Sequence, residues 1–233
     1  MLSKSKEINE MTGLPLFNKI KKHPTIKVYL KKADEYLDAI GYTEHGERHA
    51  NLVATRACYI LKELDCDERW TELAACAGYL HDIGNVSSRG FHGQISVCLS
   101  LPILKDFNLS AEETALIISA IGNHEEEDEG KPVNEVSAAI IIADKSDVHR
   151  SRVRNPSMIS FDIHDRVNYA AKEASLEVSS KEKAISLKLT IDTEISSVVE
   201  YFEIFLDRMI ASRHAAKFLG CAFRLYINGT KLL

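Results

Sequence analysis

Five times between Gly41 and Arg154, a helical stripe of apolar residues begins or ends on a histidine or an aspartate that falls on the apolar side. His49 lies four residues before Val53 and so heads the stripe Val53, Ala57, Ile60, Leu61 and Leu64. His81, with Asp82 beside it, stands one turn beyond Ala77 on the stripe Leu73, Cys76, Ala77 and Leu80. His92 opens the apolar run through Ile95, Val97 and Leu101, His124 follows Ile117, Ala120 and Ile121, and Asp144 follows Ile140 by four residues. Side chains three or four apart share one helix face, so all of these groups should point inward. Burying several imidazoles and two carboxylates is unfavourable unless something cationic collects them. A divalent metal does so: nitrogen and oxygen donors without thiolate suit a first-row ion, and a carboxylate can bridge two ions. A single inward histidine is adequately explained as a hydrogen-bonded core residue, but six such groups strain that explanation.

The rest of the chain narrows the frame. Its 233 residues suit one domain, or one with a small appendage. A net charge of −5 gives no global attraction to nucleic acid or to an anionic membrane, so a phosphate-bearing ligand needs a local basic cluster. The densest is Lys145, Asp147, His149, Arg150, Arg152 and Arg154. Five cysteines without a C-x-x-C pair suggest neither a disulfide framework nor a cysteine zinc site. No uncharged apolar run is long enough to span a bilayer, and a cytoplasmic setting is expected.

Along the chain, little function is expected from Met1 to Lys22. Pro24 starts a helix that Gly41 stops, and further helices are expected over 47–64 and about 68–82, with Gly84 as a left-handed helix stop. Ser110-x-x-Glu113 is a capping box, so a helix starts there, and another runs from Asn134. The acidic run Glu125 to Glu129 reads as a solvated loop, and Gly130-Lys131-Pro132 as a turn. Beyond Asn155-Pro156 the period changes to two: Leu176 and Val178, a turn at 179–183, then Ile185, Leu187, Leu189 and Ile191. A long helix capped by Thr193 and stopping near Gly220, then a strand over Phe223, Leu225 and Ile227, complete the pattern. The expected fold is mainly α, a helical bundle over residues 1–160 with a small C-terminal α+β subdomain of β-β-α-β order over 161–233.

Taken together, His49, His81-Asp82 and Asp144 resemble the signature of the HD-domain superfamily of metal-dependent phosphohydrolases, over about Gly41 to Arg154. His92 and His124 look like the extra ligands of its two-metal branches, which include symmetrical diadenosine-tetraphosphate hydrolases and HD-GYP cyclic-dinucleotide phosphodiesterases. The resemblance implies one or two divalent ions, with iron, manganese, magnesium, zinc, cobalt and nickel all open. His49, His81 and Asp144 would hold one, His92 and His124 the other, and Asp82 would bridge. It further implies hydrolysis of a phosphoester or phosphoanhydride, in a nucleotide or dinucleotide, by a metal-activated water.

Asp82 and His81 would then serve catalysis, with His45, one turn before His49, as substrate contact or general acid. Lys145, Arg150 and Arg154, together with Arg48 and Arg89, are the candidates for holding phosphate. Departures limit the likeness: Asn85 stands where many relatives carry a lysine, Asn123 replaces the first of a paired histidine, and Gly130-Lys131-Pro132 lacks a tyrosine, which disfavours cyclic-di-GMP cleavage. Two other readings compete. A non-catalytic nucleotide-sensing module would keep its function with Asp82→Asn, and a plain helical interaction protein would bind no ion. Exposed strand edges in the C-terminal subdomain would suit a homodimer.

Overall fold

A computed structural model of the chain describes residues 11, 13–125, 131–159 and 162–233. Two helices lead in, the short α1 (Pro15–Lys22) and the longer α2 (Pro24–Ala39), each with proline in its first turn, where the missing N–H costs no hydrogen bond. Gly41, at a φ of +85°, takes the left-handed conformation that ends α2. The central pair is α3 (Glu47–Glu63) and α4 (Glu68–Leu80). Asp67 caps α4 by accepting the Arg69 and Trp70 N–H groups.

A 3-10 turn, Ile83–Val86, then carries the chain to α5 (His92–Leu104), which contains Pro102. Helix α6 (Ala111–Gly122) starts at the expected Ser110–Glu113 capping box. Helix α7 (Glu135–Lys145) starts at a second box made by Asn134 and Ser137. The acidic positions 126–129 and Gly130 lie outside the described residues.

Gly84 departs from expectation. It sits inside the 3-10 turn and is not left-handed. Its role is close approach: a Cβ there would lie 2.1 Å from the His92 carbonyl oxygen and 2.6 Å from the Ser96 nitrogen. The start of α5 therefore seats directly on the turn after α4.

The C-terminal part begins with α8 (Ile163–Ala170), which runs into β1 (Ala171–Ser179) and β2 (Ala184–Ile191). Helix α9 (Val198–Phe218) crosses over to β3 (Ala222–Ile227), and a two-residue strand β4 (Thr230–Lys231) follows. The sheet order is β1-β2-β3-β4, antiparallel except for the parallel pair β2–β3 that the helical crossover requires. The observed unit is thus β-β-α-β-β, one short strand more than the expected β-β-α-β. Ser197, not Thr193, caps α9, in a capping box with Glu200.

Apolar residues from α1 to β3 pack as one buried cluster, and α9 lies against α7. The outer edge of β1 is occupied: Arg56 donates to the Ala174 carbonyl at 2.9 Å, the Val178 N–H to the Tyr59 hydroxyl at 3.4 Å, and His149 Nε2 to the Lys172 carbonyl at 3.0 Å.

Candidate metal centre

Helix termini deliver the polar groups to one place. The first turn of α3 supplies His49, the C-terminal end of α4 supplies His81 and Asp82, the start of α5 supplies His92, the end of α6 is followed by His124, and the last turn of α7 supplies Asp144. All four imidazoles are essentially fully buried.

The ring orientations follow from what lies outside the cluster. His81 Nδ1 is 2.8 Å from the Gly78 carbonyl, His92 Nδ1 2.9 Å from the Arg89 carbonyl and His124 Nδ1 2.6 Å from the Ile121 carbonyl. His49 Nδ1 is 2.7 Å from Asp147 Oδ2. Each of these partners can only accept, so every Nδ1 carries the proton and every Nε2 of a neutral ring turns a lone pair inward. The result is two facing pairs, His49 and His81 with Nε2 atoms 3.3 Å apart and His92 and His124 with theirs 3.0 Å apart.

Asp82 lies between the pairs and divides its oxygens. Oδ2 is 3.7 Å from His49 Nε2 and 3.5 Å from His81 Nε2, while Oδ1 is 3.1 Å from His92 Nε2 and 3.8 Å from His124 Nε2. Asp144 Oδ1 joins the first pair, 3.2 Å from His49 Nε2 and 3.9 Å from His81 Nε2. Three overlapping trios, His49-His81-Asp82, His81-His124-Asp144 and Asp82-His92-His124, each bring their ligand atoms within 4.8 Å of one another. Lone pairs at these separations repel with neither proton nor cation between them, and the nitrogen and oxygen donor set fits divalent first-row ions.

Burial pushes the His81 ring down to about 4, so at neutral pH it is an uncharged donor of electrons. Burial opposes charge on Asp82 as well, but His81, His124 and His92 outweigh it and hold the carboxyl well below its usual range. Asp144 is likewise held down against burial, chiefly by Lys145 and then His49. His49 and His124 go the other way, raised against burial by hydrogen bonds to Asp144 and Asp147 and to Asp82, respectively. Protons and metal ions would therefore compete for those two rings.

Of the five cations expected to hold phosphate, two border the cluster. Lys145 Nζ is 2.9 Å from Asp144 Oδ2 and 3.0 Å from Glu125 Oε1, and Arg89 lies 3.3 Å from Glu125 Oε2 and 3.2 Å from His92 Nε2. Arg89 also lies over the Tyr42 ring, 5.6 Å from its centroid. The other three stand elsewhere. Arg48 grips Glu44 and Asp147, and Arg154 is bound to Asp34, Asp38 and the Tyr42 carbonyl. Arg150 rests on the Tyr169 ring at 5.2 Å, its buried Nε and one terminal nitrogen without a hydrogen-bond acceptor among the described residues.

The expectation of a general acid at His45 is not met. Its Nδ1–H donates to the Thr43 carbonyl at 2.6 Å, and its Nε2 accepts from Arg152 at 2.7 Å. Burial, reinforced by Arg152, holds its pKa well below the usual value. The ring is neutral and both nitrogens are engaged, so it has no proton to offer a leaving group.

Sequence reasoning missed three groups here. Glu125, read as part of a solvated run, is buried and bridges Lys145 and Arg89. Asp147 and Arg152, buried in the middle of the basic stretch, stand behind His49. A lone acid inside a basic run, three residues after a candidate ligand, was the available signal for Asp147. Asn85 is also buried, and its amide donates to the Asp82 carbonyl at 3.1 Å, so it braces the turn after His81 and Asp82.

Comparison with known proteins agrees with this geometry. Residues 46–150 match the family model of the HD domain. Over 81% of this chain and 81% of the relative, the sequence is 27% identical to the uncharacterized protein MJ1020 of Methanocaldococcus jannaschii. Among the described residues, no helix is long and apolar enough to cross a membrane.

Proposed function

We propose that the HD domain at residues 46–150 is a phosphohydrolase that cleaves a phosphoester or phosphoanhydride bond in a nucleotide or dinucleotide, and that it holds two divalent ions. HD domains are generally metal-dependent hydrolases, and one observation carries the reading to this chain: four Nε2 lone pairs converge on a carboxylate whose two oxygens face opposite pairs. His49, His81, Asp144 and Asp82 Oδ2 would hold the first ion, and His92, His124 and Asp82 Oδ1 the second. Such ions supply charge for the phosphoryl oxygens and acidify water at neutral pH.

The chain's own groups do the remaining work. Lys145 and Arg89 flank the ligand sets with positive charge suited to phosphate oxygens, the arginine as a fork and the lysine as a point charge. Tyr42, half-exposed beneath Arg89, offers a ring face to a base.

The test is hydrolysis of a panel of nucleotides, dinucleotides and simple phosphoesters by the full chain reloaded in turn with manganese, iron, cobalt and magnesium. Turnover should appear with at least one ion, vanish with chelator, and fall at least about a hundredfold in Asp82→Asn. No chelator-sensitive hydrolysis across the panel would sink the proposal. Nucleotide binding that survives Asp82→Asn without any turnover would favour a sensing module instead.

A further inference from the structure

We propose that Asp147 is the positioning residue of the metal centre, fixing the His49 ring so that its Nε2 lone pair faces the cluster. The inference rests on the reading of His49 as a metal ligand. It starts from a difference among the four rings. His81, His92 and His124 each donate Nδ1–H to the carbonyl three residues earlier, so the local backbone sets their tautomer. His49 stands in the first turn of α3, where the equivalent carbonyl belongs to Gly46, and that oxygen already accepts the Ala50 N–H at 3.0 Å. Its orienting acceptor comes instead from 98 residues away, as Asp147 Oδ2 at 2.7 Å.

Tautomer decides whether the ring can ligate at all. A neutral imidazole protonated on Nε2 would present a hydrogen to the cluster in place of a lone pair. A carboxylate accepting from Nδ1 removes that alternative and makes Nε2 a better donor to a metal.

The carboxylate is itself held. Arg48 reaches it with both terminal nitrogens, at 2.8 Å to Oδ2 and 3.3 Å to Oδ1. From the other side, Arg152 donates to the Asp147 backbone carbonyl at 2.8 Å and to His45 Nε2 at 2.7 Å. The line Thr43, His45, Arg152, Asp147, His49 thus ends on the cluster, so His45 within it and Arg48 on the Asp147 carboxylate gain a role in place of acid catalysis and substrate contact. Asp147, Arg152 and His49 are each at most 1% exposed, so water cannot substitute for any of them.

The experiment uses the full chain stripped by chelator, titrated with cobalt(II) and followed by the ion's visible absorption, with ring-nitrogen NMR of the metal-free protein reporting the His49 tautomer. Asp147→Ala removes the acceptor, and Asp147→Asn puts a donor among groups that all donate. Each should weaken cobalt binding by about 10- to 100-fold and shift His49 towards the Nε2–H form. Folded variants with unchanged cobalt affinity and unchanged tautomer would overturn the proposal.

If neither variant folds, Arg48→Met decides, because it loosens the carboxylate while leaving the pair in place: weaker cobalt binding upholds the proposal and unchanged binding overturns it. If the wild-type protein takes up no cobalt, the reading of the site as a metal centre fails. The tautomer shift then tests the positioning separately, its presence upholding the proposal and its absence overturning it.

Discussion

Glu125 joins the two cations beside the histidine cluster. Its carboxylate lies between Lys145 and Arg89, the two cations that border the histidine cluster, at 3.0 and 3.3 Å. Burial opposes its charge, but Lys145 and then His124 hold it ionised, below the usual carboxylate range. Both cations are therefore partly neutralised before any phosphate arrives. Replacing it by glutamine keeps its size, leaves one oxygen to accept from one of the two cations, and removes that charge. Inorganic phosphate should then inhibit the metal-loaded enzyme about tenfold more tightly, equivalent to about 1.4 kcal/mol, as read from competition against substrate.

Five of the six ligand candidates are legible in the sequence because each sits on an apolar stripe at helical spacing, where a polar group stands out, and Asp82 is legible as the neighbour of His81 in the HD signature. Glu125 and Asp147 are not, since Glu125 opens an acidic run and Asp147 sits inside a basic one, and each run reads as solvated. The same blind spot hides Arg152, which looks like one more cation on a solvated helix end yet is buried.

At the level of elements, α9 rests on its N-terminal box. Glu200 accepts from the Ser197 N–H and Ser196 hydroxyl, and Arg166 of α8 pairs with its other oxygen. The Arg166 pairing, followed by these hydrogen bonds, pushes Glu200 down to about 2. A folded-state pKa below the unfolded value of about 4.3 stabilises the protein above that value, and the contribution disappears as pH falls through the folded pKa.

Melting curves of wild type and Glu200→Gln should therefore differ most near neutral pH and converge as the pH falls from about 4 towards 2. A gap that stayed constant with pH would show that the carboxylate's charge is not what matters. Sequence reading places this helix well but starts it at Thr193, because hydrophobic spacing extends back to Ile195. The Ser197-x-x-Glu200 pattern is the better marker, and only it reports the reciprocal cap.

Across the whole molecule, a buried arginine joins the helical and sheet parts. Arg56 of α3 donates at 2.7 Å to both the carbonyl and the hydroxyl of Ser146, just past α7, and at 2.9 Å to the Ala174 carbonyl of β1. Methionine at this position would take the Arg56 donor from the Ala174 carbonyl and the Ser146 hydroxyl, while the Ser146 carbonyl keeps the Val148 N–H, a loss of about 3 kcal/mol. Denaturant unfolding followed both by far-ultraviolet circular dichroism and by Trp70 fluorescence should show one transition at lower midpoint. Two separated transitions would mean that the parts are not coupled through this residue. The two-residue period after Asn155 makes the sheet legible from sequence, but its attachment is not, because one arginine in a helix gives no hint of a strand 118 residues later.

The contact at Gly84 bears on how the centre could change over time. Between the turn that carries His81 and Asp82 and the helix that carries His92, main chain meets main chain, and even a methyl group would fall 2.1 Å from the His92 carbonyl. A seam packed by side chains can be widened or narrowed by substitution, one methylene at a time. This one has no such adjustment, so the interval between His81-Asp82 and His92 is set by backbone contact, and drift towards a different ion or substrate would have to come from the groups around the rim.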